Sequence, residues 1–465
     1  MMTLSLAVRN LLRNRRRSLA TLLAMAIGGA AILLFGGFSG NIRYEMLTKI
    51  VQTGGHLQIQ HRDFYLYGSG NPTAYGIENY EEILRAIAAD EVLKGMVVVA
   101  TPTLQFGGIA GNYADSVSRT IIGTGYVAKD INLMRRWNEH HLRTKALPSA
   151  LEGTPPESAV VGVGVARVLQ LCDILHITNC PKPEKNQGDD GAALPDDIKQ
   201  LSALEAPLAR SAPTTDPRRI EVLVVNSRGA PNVTGVEVIR AEDQGFKELD
   251  EIALMMHLSK IQKLVYGNSS PRATSIMIQL QHTDQLPLAM KRLASIVTKF
   301  SISQPLTVQD YRALNPFFVQ TIKMFDTIFG FVFLLIGAIV LFTVNNTMST
   351  AVVERTVEIG TLRAIGLRRS GIRRLFVVEG TLLGIWGAIV GVVLAFAISA
   401  LVNYLDIPWI PPNWVEPVPL TILVAGETTM IVGTTVGLIF VAILSAWWPA
   451  YRAAKLNVVD ALRHV

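Results

Sequence analysis

The chain is 465 residues long, 49% hydrophobic and 17% charged, with a formal net charge of +6. A chain of this length holds roughly two to four domains, and the apolar excess argues against a wholly soluble fold and for membrane-spanning segments. The surplus of Arg and Lys sits in short flanks of apolar runs, so it reports membrane topology and gives no support to nucleic acid as a partner.

From the N-terminus, Leu4, Ala7, Val8, Leu11 and Leu12 fall on one helical face of residues 1–17, with Arg9, Asn10 and Arg13 on the other. That pattern suits a cytoplasmic amphipathic helix in the headgroup layer. Residues 18–40 are uncharged and form a first transmembrane helix. The run is too long for a signal peptide, and Phe38 breaks the small-residue cleavage rule, so it reads as an uncleaved anchor.

Residues 41–315 change to an α/β pattern. Strand-like runs fall at 56–60, 97–100, 118–122, 159–161, 220–225 and 274–280, and helical periodicity at 80–89, 163–171, 246–265 and 288–300. The insert at 181–217 is rich in Pro, Asp and Gly without a sustained period, which fits either a solvated loop or a partner-binding segment. Cys172 and Cys180 are the only cysteines, open to a disulfide or to two buried thiols. The pairs His56/His61 and His140/His141 lack a further ligand at zinc-like spacing, so no metal residue is assigned.

Residues 316–353 read as a second transmembrane helix with a stalk, 354–376 as a charged junction, 377–405 as a third span, 406–424 as a short outer loop, 425–451 as a fourth span and 452–465 as a tail. The uncharged part of the second span would make ~40 Å of helix against a ~30 Å hydrocarbon core, so it should project beyond the bilayer. Gly380/Gly384, Gly387/Gly391 and Gly433/Gly437 are spaced for close helix packing. Glu379 and Glu427 lie near span ends, placed for headgroup contact or, alternatively, as buried functional carboxylates, and Trp447 and Trp448 suit an interfacial belt. The 354–374 segment carries six Arg against two Glu, and 1–17 carries Arg without acid, whereas 406–427 carries only acids. Both termini and the junction are therefore expected to be cytoplasmic, with 41–315 outside.

Within the junction, Ile359, Leu362 and Ile365 are spaced as an apolar ridge, flanked by Glu354, Arg355, Glu358 and Arg363, and Gly366 suits a helix-ending position. Spacing alone leaves two readings, a helix that docks into another protein's groove or an ordinary turn between spans. The run Glu354-Arg355, Glu358-Ile359-Gly360, Leu362-Arg363-Ala364-Ile365-Gly366 resembles the signature of the FtsX/MacB-like permeases, the four-helix class of ABC transporter membrane subunits. Phe106-Gly107-Gly108, Ile121-Ile122-Gly123 and Val160-Val161-Gly162 with 166–171 are similar to that family's extracytoplasmic core, although Cys172-Asp173 stands where Gly-Asp is usual. The tail, Pro449-Ala450, Arg452-Ala453-Ala454 and Asp460-Ala461-Leu462-Arg463, is similar too, with Val458 in place of a usual proline.

The resemblance implies an α-helical membrane protein with four transmembrane helices and a large mixed α/β extracytoplasmic domain between the first and second, in a bacterial inner membrane. It implies that these ten junction residues form a coupling helix against a separate ABC ATPase subunit. ATP and Mg would be bound by that partner. No glycine here is followed by Lys, so the chain has no GxxxxGK[ST] loop, and with no GxSxG or HExxH motif it is not expected to be an enzyme or to hold a cofactor. Further implied partners are a second permease copy or a related permease, membrane lipid, and a periplasmic chaperone or adaptor. The lipoprotein-release layout implies lipoprotein or lipid extraction by mechanotransmission. Export of peptides or small molecules with an adaptor, and regulation of a cell-wall hydrolase, are the alternatives. On this reading Ile359→Asp should uncouple the partner ATPase and leave the fold intact.

Overall fold

The computed structural model describes residues 2–13, 15–68, 70–143, 147–177, 180, 216–226, 229–244, 247–302, 304–410 and 417–458. Most of the insert at 181–217 and the Asp460-Ala461-Leu462-Arg463 motif lie outside them. The chain divides into a helical unit (Met1–Met46, Phe317–Trp409, Pro419–Val465) and an α/β unit (Leu47–Pro316, Ile410–Val418).

Two helices open the chain, α1 (Met2–Arg13) and α2 (Arg15–Gly54). The α/β unit follows with β1 (Leu57–His61), α3 (Tyr80–Ala89), β2 (Val97–Asn112), β3 (Val117–Tyr126), α4 (Ala128–Arg135), β4 (Ser158–Gly162) and α5 (Val163–Val168). It continues with β5 (Arg219–Val225), β6 (Pro231–Glu242), β7 (Ala253–His257), α6 (Leu258–Tyr266), β8 (Ser275–Leu280), α7 (Leu286–Phe300) and β9 (Leu306–Asp310). All nine strands join one sheet in the order β3-β7-β4-β6-β5-β2-β8-β1-β9, and a further β3–β2 pairing closes the first part on itself.

The long strand β2 is shared by both parts. Its residues 97–103 pair with β8, while 103–112 pair with β3 and 108–111 with β5. Phe106 and Gly123 are cross-strand partners, and a Cβ on Gly123 would lie 1.9 Å from the Phe106 ring, so the ring occupies the space that glycine leaves. Phe106 is fully buried in the main core with Leu104, Val161, Val222, Val238 and Met256.

Two strands depart from the sequence expectation. The helical period at 246–265 is broken, because Leu254, Met255 and Met256 lie in β7 between β3 and β4, and helix is confined to the single turn Lys247–Asp250 and to Leu258–Tyr266. Leu and Met favour helix, but burial of all three against neighbouring strands overrides that preference. Strand β6 was not anticipated, although Val236 and Val238 point into the core on alternate positions. Cys172 and Cys180 are bonded, with Cα atoms 6.1 Å apart.

His56 is fully buried beside Trp137, its Nδ1 accepting from the Leu280 N–H at 3.1 Å and its Nε2 3.3 Å from the Thr283 hydroxyl. It is a core histidine with satisfied nitrogens, and burial pulls its pKa down to about 4, the nearby Glu139 carboxylate opposing the shift.

The helical unit is completed by α8 (Pro316–Glu354), α9 (Thr356–Ala364), α10 (Arg369–Leu405) and α11 (Thr428–Lys455). Among the described residues four helices, α2, α8, α10 and α11, are long and apolar enough to cross a membrane, with mean hydropathies over an 18-residue stretch of each of 2.2, 2.7, 2.5 and 2.1. Small residues set their spacing. Gly380 and Gly384 face Ala446 and Ala442 of α11, while Gly387 and Gly391 face Met25 and Ala26 of α2. The third spaced pair behaves differently: Gly433 has nothing within 4 Å, and Gly437 meets only Phe333.

Two outcomes are expected. Gly391→Leu would place a Cβ 2.9 Å from the Ala26 carbonyl oxygen, which backbone cannot yield, so the substitution should cost about 1–3 kcal/mol and lower the unfolding temperature of the protein in detergent. His56 has a folded pKa below its unfolded value near 6.5, so its contribution is complete above that pH and is lost as pH falls toward 4. His56→Gln should flatten this acid limb of the unfolding profile, worth about 3 kcal/mol at most.

Candidate functional site

The charged junction begins where α8 stops. Arg355, at φ −104° and ψ 16°, interrupts the helix between Glu354 and Thr356, so α8 does not run unbroken into the junction. At the other end of α9, Gly366 takes φ +103° and the Leu367 N–H closes back on the Leu362 carbonyl at 3.0 Å. A glycine in the left-handed region with that closing bond is the usual way to end a helix. Two residues later α10 begins, with Arg368 as its extended N-cap.

Beneath this turn lies a buried ion pair. Arg355 Nη1 donates to Glu379 Oε1 at 3.0 Å and Oε2 at 3.3 Å, and its Nη2 donates to the Asn10 carbonyl at 3.1 Å. The Asn10 amide donates to Glu379 Oε1 at 2.6 Å, so α1, the end of α8 and the interior of α10 meet on one carboxylate. The Arg355 and Glu379 side chains are only 7% and 3% exposed. Arg355 Nε is buried without a hydrogen-bond partner among the described residues. A charge pair so removed from water holds only through close geometry and supporting bonds.

The other charges between Glu354 and Gly366 are engaged as well. Glu358 pairs with Arg13 at 2.5 Å, Glu354 pairs with Arg17, and Arg363 donates to the Leu456 carbonyl beyond α11. Helix α1 therefore serves two surroundings. Ala7 is buried and Leu11 packs on the bundle core, whereas Leu4, Val8 and Leu12 stay exposed along one stripe. Asn10 and Arg13, expected on a water-facing side, turn instead toward Glu379 and Glu358. A cavity of about 430 Å³ opens between α1 and α9, lined by Asn10, Arg13, Arg355, Glu358, Leu362 and Phe376.

The apolar ridge expected on one face is split. Ile359 is 3% exposed and belongs to the bundle core with Val352, Ile372 and Phe376, Leu362 packs against that core, and Gly360 is buried. Ile365 is 80% exposed, and Val357 and Leu367 are exposed beside Ala364 and Gly366. The outward apolar surface thus runs through Val357, Thr361 and Ile365, one i, i+4 row around from the ridge read off the sequence. Ile359 and Arg355, expected among the contact residues, are covered by this chain's own helices.

Asn10, Arg13, Arg17 and Glu379 were not assigned to the site from sequence. An acid inside an otherwise apolar span was the available signal for Glu379, since such groups pair inside a bundle. Nothing in local spacing ties residue 10 or 13 to residues beyond 350.

Residues 327–458, from α8 to the end of α11, match the family model described as FtsX-like permease C-terminal. The chain carries an FtsX-like permease domain. The FtsX-like segment contains the whole of the junction, from Glu354 to Gly366. Over 233 residues, 50% of this chain, the protein is 27% identical to the macrolide export ATP-binding/permease protein MacB of Neisseria gonorrhoeae, matching 33% of that protein. It is also 36% identical to the ABC transporter permease YtrF of Bacillus subtilis over 140 residues, 29% of this chain and 30% of that one. The chain thus spans about a third of the length of these curated relatives. Among solved structures, the periplasmic region of MacB from Actinobacillus actinomycetemcomitans aligns with 57% of this chain and 94% of its own at 14% identity, with a TM-score of 0.27.

Glu379→Gln keeps the shape of the side chain and leaves Arg355 as an unpaired buried charge, which should cost about 3–5 kcal/mol. Replacing both residues, Arg355→Met with Glu379→Leu, should recover most of that loss in thermal unfolding of the protein in lipid nanodiscs. Additive losses would show that the two groups do not act as a pair.

Proposed function

We propose that the chain is the membrane permease subunit of an ABC transporter and that α9 is the element on which a separate ATPase subunit docks. The observation that carries this reading is the outer face of α9. Its flanking charges are bound to α1, α2, α10 and the end of α11, while Ile365, Val357 and Leu367 remain open to solvent on a capped helix. Burying apolar side chains of this size contributes about 1.5–3 kcal/mol each when complete, enough to seat a rigid joint. The six Arg and two Glu of 354–374 favour a cytoplasmic position for this face, where an ATPase, with its ATP and Mg, would meet it.

The mechanism follows from how α9 is fastened. Ile359 inserts among Ile372 and Phe376 of α10, and Arg355 is held by Glu379 and Asn10. A push on α9 therefore moves α1, α8 and α10 as one body rather than bending a loop. In sequence, α2 leads directly into β1, β9 leads after a short turn into α8, and the Ile410–Val418 segment between α10 and α11 also belongs to the α/β unit, so motion of the helical unit has covalent routes to the α/β unit. A second copy or a related permease would complete the assembly.

For the cargo, the FtsX/MacB-like resemblance favours lipoproteins or lipids. A second reading, export of an amphiphilic small molecule, is supported by a cleft of about 570 Å³ in the α/β unit, lined by Gln58, Gln105, Thr124, Met255 and Met277 among others. Its size and its mix of polar and apolar groups, with Arg135 as the charged member, suit a drug-sized ligand, and the name of the MacB relatives, macrolide export, agrees with it.

The test is ATPase activity of the reconstituted chain with its ATPase subunit. Ile365→Asp should leave folding intact and reduce association with the ATPase at least tenfold, whereas Ile359→Asp should fail to fold because it puts a carboxylate in the core. Unchanged association in Ile365→Asp would overturn the docking assignment. Stimulation by a macrolide or by a triacylated lipoprotein would distinguish the two cargo readings.

A further inference from the structure

At the same end of the helical unit, the first turns of α10 and the last turns of α11 carry a cluster that the coupling face does not use. Arg373 lies over the Trp447 ring at 5.6 Å, Arg452 over Trp448 at 5.4 Å, and Lys455 over Tyr451 at 4.6 Å. The three rings are exposed, while Ala446, Ala450 and Ala453 on the opposite side of α11 are buried in the bundle. The rings therefore face away from the protein where the apolar part of α11 ends, with Arg452 and Lys455 exposed beside them and Arg373 half-buried.

Among the described residues the charge there is uncompensated. Residues 359–378 and 428–458 contain no Asp or Glu, and none of Arg373, Arg452 and Lys455 forms an ion pair among the described residues. Each cation rests one side on a ring face, which holds it in place at modest gain and leaves N–H donors free on the other side. Guanidinium donors in that setting suit a phosphate, which accepts two parallel bonds. Exposed Trp and Tyr at the end of an apolar helix sit at headgroup depth, so the phosphate they accompany is one anchored in the membrane rather than one free in solution.

We propose that Arg373, Arg452 and Lys455, framed by Trp447, Trp448 and Tyr451, form a binding site for the phosphate headgroup of an anionic phospholipid. The site requires only that the four apolar helices span a bilayer, and it is independent of cargo and of the ATPase. A lipid held there contacts α10 and α11 together, next to the turn that carries α9.

The experiment is native mass spectrometry of the full-length protein in neutral detergent, titrated with phosphatidylglycerol, with phosphatidylcholine, or with inorganic phosphate. Phosphatidylglycerol should be retained in preference to phosphatidylcholine. Arg373→Gln with Arg452→Gln should lower that retention by roughly fivefold for each cation removed. Arg368→Gln with Arg369→Gln removes equal charge from exposed positions without ring partners and should leave retention within about twofold. Monodispersity and helical content of each variant establish that it is folded. Equal retention of the two lipids, an equal loss in both double variants, or displacement of bound lipid by inorganic phosphate would each overturn the proposal. So would unchanged lipid retention in Arg373→Gln with Arg452→Gln accompanied by loss of ATPase binding, which would make this rim a protein contact.

Discussion

A guanidinium and a carboxylate withdrawn from water, Arg355 and Glu379, hold the helical unit together at the point where it changes direction. Arg355 stands in the one-residue break between α8 and α9, and Glu379 lies nearly three turns inside α10. The pair costs desolvation, so it is tolerated only because Asn10 supplies both an acceptor for the guanidinium and a donor for the carboxylate. That requirement explains the rest of the local arrangement: α1 must lie against α10, the glycine-rich face of α10 must let α2 and α11 approach, and α9 must fold back over Ile372 and Phe376.

The consequence is a division of labour among the junction residues. Those that point inward, Arg355, Ile359 and Leu362, set the position of α9, and those that point outward, Val357 and Ile365, give it a surface. Glu354, Glu358 and Arg363 fall between, on bonds to Arg17, Arg13 and the Leu456 carbonyl that fasten the helix at its edges. Exposed pairs of this kind contribute little energy individually, so their role here is orientation.

Much of this was legible in the sequence, and the reasons for the remainder are physical. The four apolar helices announce themselves because uncharged runs of that length have no other common use, and Gly366 announces a helix end because few residues accept a positive φ. The ridge through Ile359 and Ile365 was harder to assign, since spacing shows that residues share a helix side but not whether that side meets the same chain or another. Arg355 and Glu379 are 24 positions apart and Asn10 is 345 from Arg355, separations at which no periodicity operates. In the α/β unit, Leu254 to Met256 carried a helical pattern that pairing with two strands overruled, and β6 was passed over although its valines alternate.

The central claim is that the outward face of α9 receives the ATPase while the Arg355–Glu379 joint keeps α9 rigid. Hydrogen–deuterium exchange of the reconstituted chain, with and without the ATPase subunit in its nucleotide-closed state, tests it most directly. The account predicts slowed exchange across residues 356–367 on binding, with the amides around Glu379 already protected in the free protein. Protection that appears elsewhere on the helical unit and leaves 356–367 unchanged would contradict it.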